Sequence, residues 1–70
     1  MAKNDFFDLL NQGDLEEAIS LMRAQFQDDP VVQFQLGRIC KRLEGDSDLN
    51  ELRSGLATLY RFGDSRMALV

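Results

Sequence analysis

The side chains that most often carry out chemistry are nearly missing from this chain. Its 70 residues include no histidine and a single cysteine. Without an imidazole there is no His general base, no Ser-His or Cys-His nucleophile, and no use of the commonest metal ligand. Cys40 falls on an apolar helical stripe, where it reads as a small buried hydrophobe. The acidic pairs Glu16-Glu17 and Asp28-Asp29 could in principle serve acid/base work or a cation. They stand at a helix start and a helix end and lack the spacing of a calcium loop, so capping and solvation account for them. The five glycines, at 13, 37, 45, 55 and 63, form no phosphate-cradling loop. The sequence therefore predicts a protein that is not an enzyme and needs no cofactor or metal.

What remains is binding, and binding depends on the elements that display the side chains. Four helical segments follow from apolar periodicity and stop signals. The first covers residues 5–11, with Asn4 as N-cap and Gly13 as stop. The second starts at Asp14, with Glu17 three residues on as in a capping box. Its face is Leu15, Ala18, Ile19, Met22 and Phe26, and Asp28-Asp29-Pro30 ends it. The third starts at Pro30 and stops at Gly45, with a stripe of Val32, Leu36, Ile39, Cys40 and Leu43. The fourth starts at Asp48, carries Leu49, Leu52, Leu56, Leu59 and Tyr60, and stops at Gly63. The tail from Asp64 to Val70 reads as a last helical turn or an extended arm.

No run alternates over strand length, and the one proline sits at a boundary. The fold class is all-α: a single domain over residues 1–70, a bundle of about four short antiparallel helices in two hairpins. A core this small sits near the lower limit for independent stability, and with one cysteine there is no internal disulfide to help. Homodimerisation is the expected way to complete it.

The stretch Gly13-Asp-Leu-Glu-Glu-Ala-Ile, with Asp29-Pro30 after it, resembles the second half of a tetratricopeptide repeat, over residues 4–30. That family places glycine at the turn, a small residue such as Ala18 at the helix contact, and proline at the repeat end. Leu36-Gly37 echoes the Leu-Gly pair of a following repeat. The resemblance implies helical hairpins and, more weakly, a peptide groove.

Two features lie outside packing. Gly37 and Gly55 stand inside the third and fourth helices, where each glycine costs roughly 1 kcal/mol relative to alanine. A turn centred on Asp46 sets residue n opposite 92 − n. That places the two glycines face to face and predicts a close helix approach. Charge is also uneven. Residues 1–30 hold two basic and seven acidic side chains, a net −5, while residues 31–70 hold six and five, a net +1. Such polarity favours head-to-tail pairing or steers a charged partner.

The candidate binding residues are Phe34, Arg38, Lys41 and Arg42 on the third helix, and Tyr60, Arg61 and Phe62 at the end of the fourth. Aromatics beside arginines are typical interface anchors. The expected function is a small protein-binding module acting as a homo-oligomer, with another protein held on helices 3 and 4 and the tail. By size and class it looks like an inhibitor, adaptor or chaperone of the kind phages and mobile elements encode. One alternative is a DNA-binding regulator using the helix over 31–44. Against it stand a net charge of −4 and a pI near 4.5, which serve phosphate contacts badly. Another alternative is a repeat fragment with a structural role. No stretch is apolar enough for a membrane span or a signal peptide, and one thiol suits a reducing cytoplasm, the expected compartment.

Overall fold

The structure is a computed structural model that describes residues 3–45 and 48–68. Four helices follow one another with no strand among the described residues: α1 (Lys3–Gln12), α2 (Leu15–Gln25), α3 (Pro30–Glu44) and α4 (Leu49–Ala68). α1 pairs with α2, and α3 with α4; α2 packs on α3, and α4 closes over α1 and α2.

The first turn is made by two residues with complementary tasks. Gly13 adopts φ +81°, the left-handed conformation that a Cβ disfavours. The Gly13 N–H then donates to Leu10 O at 3.0 Å, and the Asp14 N–H to Leu9 O at 2.9 Å. This pair of bonds is a Schellman closure, which satisfies carbonyls that α1 would leave open. Asp14 also begins α2, its carboxylate accepting the Glu17 N–H at 3.4 Å. The reciprocal half of a capping box is not made, because the Asp14 N–H is already used by α1.

α2 ends at Gln25, earlier than the Asp28-Asp29-Pro30 stop suggests; Phe26 is its C-cap and donates its N–H to Met22 O. Asp29 serves the next helix instead. Its carboxylate accepts the N–H groups of Val31 at 3.1 Å and Val32 at 3.3 Å, with Pro30 in the first turn. The side-chain amide of Gln33 donates to Phe26 O at 2.9 Å and Arg23 O at 3.3 Å, closing the carbonyls that α2 leaves behind. Asp48 starts α4, accepting the Asn50 N–H at 2.9 Å. The predicted turn centre, Asp46, and the tail residues 69–70 lie outside the described residues.

The core follows the predicted stripes. Leu15, Ala18, Ile19, Met22 and Phe26 of the second stripe are all buried, and Leu21 joins them. From α3 come Val32 and Leu36, with Ile39, Cys40 and Leu43 packed at the margin; from α4 come Leu52, Leu56, Leu59 and Tyr60. Phe6 of α1 stacks on Tyr60 with centroids 4.2 Å apart, and Phe26 meets the same ring edge-on at 5.4 Å. Three helices thus meet at one aromatic cluster.

Several sequence expectations need correction. Asn4 is inside α1, which begins one residue earlier, so it is not the N-cap. Leu49 is exposed rather than part of the α4 stripe. Gly63 does not stop α4, which continues for five more residues. Among the described residues only Gly13 ends its helix in the left-handed conformation, while Gly45 caps α3 in an extended one. Gly63 is instead buried against Phe26: a Cβ built there would lie 3.0–3.1 Å from three carbons of the Phe26 ring. The close approach predicted for Gly37 and Gly55 is absent, since a Cβ at either would meet nothing within 4 Å.

Candidate functional site

The helices leave two clefts that bear on binding. The first runs along the outer seam of α3 and α4. Val31 and Phe62 form one end of it, Ile39 and Leu59 supply apolar walls, and Arg42 lies at the other end. Its volume is about 580 Å³. Gly55 with Ser54 and Thr58 keeps the α4 wall low, which gives the exposed glycine a visible consequence: it leaves space rather than bringing backbones together. Val31 is 42% exposed and Phe62 43%, although both are large apolar side chains.

Electrostatics around this seam are positive but partly satisfied. Arg42 is paired with Glu51 across the two helices. Arg66 stands over the Phe62 ring, 5.3 Å from its centroid, and reaches Asp29 at 3.6 Å. A guanidinium over an aromatic face is attracted to the ring and leaves its edge available.

The predicted binding residues divide into three groups. Phe34, Arg38 and Lys41 share one side of α3 at i, i+4 and i+7, and all are exposed. Phe34 is 65% exposed, so it does not pack on α2. Arg42 and Phe62 belong to the α3/α4 seam. Arg61 lies elsewhere, its guanidinium 5.9 Å from the centroid of Phe7. Tyr60 leaves the candidate set: it is buried in the core, and its hydroxyl accepts from the Gln25 side-chain amide at 2.9 Å. Alternation of Tyr60, Arg61 and Phe62 around a helix sends neighbours to different faces, and the aromatic with the best heptad position goes inward.

The second cleft lies between α1 and α2, with a volume of about 560 Å³. Leu9, Leu21 and Ala24 make its apolar part, and Asp5, Asp8 and Glu17 its charged part. Sequence reasoning took these carboxylates only as helix-start and surface charges. The signal for more was the net −5 of residues 1–30, most of which, a net −3, falls on this hairpin.

Cys40 is half-buried, and its sulfur accepts from Arg23 Nη2 at 3.3 Å. Among the described residues no group of three or more His, Cys, Asp or Glu side chains could hold a metal ion. No helix among them is long and apolar enough to cross a membrane. No protein-family model matches the chain, and no curated protein or solved structure matches it either. The functional reading accordingly rests on these surfaces alone.

Proposed function

We propose that this chain is a small non-enzymatic protein-binding module, acting as a homo-oligomer, that holds another protein in the seam between α3 and α4. The observation carrying this reading is the pair Val31 and Phe62, 42% and 43% exposed across a cleft walled by Ile39 and Leu59. Exposed apolar side chains gathered at a cleft mark interaction surfaces, whereas single ones scattered over a surface do not. The chemistry of the seam fits an apolar helix or strand, with an acidic group that competes with Glu51 for Arg42. An inhibitor, an adaptor and a chaperone would all use such a surface.

Affinity capture with the tagged chain tests it. The wild type is expected to retain a defined protein from a lysate, and a Val31→Asp/Phe62→Asp variant with the same helical circular dichroism is expected to lose it. An Arg42→Glu variant should weaken capture and make it less sensitive to salt. If neither wild type nor variants retain any protein, the reading fails. Retention on mixed-sequence DNA at low salt, abolished by the arginine variant, would favour the DNA regulator instead.

A further inference from the structure

The chain carries two complementary surfaces that it does not bring together within itself. One is the outer ridge of α3, where Phe34 stands with Arg38 and Lys41 on the same side of the helix. Phe34 is the most exposed large hydrophobic residue among those described. Neither Arg38 nor Lys41 has an ion-pair partner among the described side chains, whereas Arg42 and Arg66 each have one. The other is the cleft between α1 and α2. Its apolar part, Leu9, Leu21 and Ala24, is flanked by Asp5, Asp8 and Glu17. These three carboxylates also lack an ion-pair partner among the described side chains.

We infer that the two surfaces meet between chains: the Phe34 ridge of one copy seats in the α1/α2 cleft of the next. Shape and charge both support a second copy as the occupant. The cleft, at about 560 Å³, has room for an aromatic ring and the helix edge that carries it. Its carboxylates take the two cations that flank Phe34 at one helical turn and two. The surfaces come from opposite halves of a chain whose residues 1–30 carry net −5 and residues 31–70 net +1, so the field of each copy orients the next. Because ridge and cleft are different surfaces, the contact is heterologous, and it leaves one ridge and one cleft free at the ends of any open assembly. The α3/α4 seam uses other residues, so this inference and the protein-binding reading can fail separately.

Complementary one-sided variants decide the matter by solution mass. Phe34→Asp removes the ridge and keeps the cleft; Asp8→Lys/Glu17→Gln spoils the cleft and keeps the ridge. At low salt the wild type is expected to exceed the 8.0 kDa of one chain, and added salt should lower its mass. Each variant alone, with helical circular dichroism intact, should associate at least about tenfold more weakly. Mixed in equal amounts they should form a two-chain species, since the intact ridge of one fits the intact cleft of the other. A wild type that stays at one chain at every concentration overturns the inference. So does a Phe34→Asp variant that no cleft variant rescues, which is the result for a two-fold contact of ridge on ridge. Binding of a cationic helical peptide in the cleft of a strictly monomeric wild type would assign the cleft to a foreign segment and overturn it too.

Discussion

Gly63 has ordinary helical geometry, yet its missing side chain matters more than that of Gly37 or Gly55. The Phe26 ring lies where a Gly63 Cβ would project, and that ring is itself held by Tyr60. Since the Phe26 ring is buried and must shift to admit the new methyl group, Gly63→Ala should destabilise the fold by about 1–3 kcal/mol, the usual range for overpacking. Gly37→Ala and Gly55→Ala face open space and should instead stabilise by about 0.5–1 kcal/mol each, through helix propensity. Urea unfolding of the three variants checks both signs at once. The Tyr60 hydroxyl offers a second contrast. Tyr60→Phe removes one hydrogen bond and leaves Gln25, half-buried, able to reach water, for a loss of about 1 kcal/mol. Gln25→Ala strands a hydroxyl on a residue buried in the core and should cost more, about 1–3 kcal/mol. Both contrasts depend on which helix supplies the neighbour. That is why the sequence located every glycine yet assigned the close approach to the wrong pair: Phe26 and Gly63 are 37 positions apart, and no local pattern links them.

At the level of helices, local chemistry is legible and tertiary chemistry is not. Gly13, Asp14, Asp29 with Pro30, and Asp48 do their capping within five residues of themselves, and the helix starts predicted at 14, 30 and 48 are found within a residue. The apolar stripes were legible for the same reason, since one face of a helix can be read from its own spacing. The end of α4 was not, because Gly63 answers to a ring on α2. Asp29 allows the two roles of one side chain to be separated. It caps α3 and also reaches Arg66 at 3.6 Å, with the Arg66 side chain 44% exposed. The Asp29 side chain is 13% exposed, but a pair 3.6 Å long to a half-exposed arginine contributes little, so Arg66→Gln should lower stability by no more than about 0.5 kcal/mol. Asp29→Ala loses two N–H acceptors at the start of α3 and should cost about 1–2 kcal/mol. Asp29→Asn keeps an accepting oxygen and should fall close to the wild type. A thermal melt series in the order Asn, Gln variant, Ala would match this account; equal losses for Arg66→Gln and Asp29→Ala would assign the role to the ion pair.

For the molecule as a whole, the question is whether one copy suffices. Its accessible surface of 4763 Å² is near the ~4,500 Å² expected of a folded chain of this mass. Its radius of gyration, 11.4 Å, matches the ~11 Å of a compact domain of this length. A single copy thus closes its own core around Phe6, Phe26 and Tyr60. In the inferred assembly, association covers Phe34 and the acidic cleft, which lie outside that core. That separates two behaviours on heating. A chain whose core is finished only by a partner melts with a strongly concentration-dependent midpoint, because folding and association are one equilibrium. A chain with a closed core that associates through a charged ridge and cleft gains only RT ln(1 + [L]/Kd) from its neighbour, about 1.4 kcal/mol for each factor of ten once the concentration exceeds Kd. The midpoint should therefore rise by a few degrees with protein concentration at low salt, and this rise should vanish at high salt, where contacts between exposed charges are screened. Phe34→Asp should show the lower, concentration-independent midpoint under both conditions while still unfolding cooperatively. A Phe34→Asp chain that loses cooperative unfolding altogether would mean that the second copy is part of the core, and scanning calorimetry at two concentrations and two salts is enough to see it.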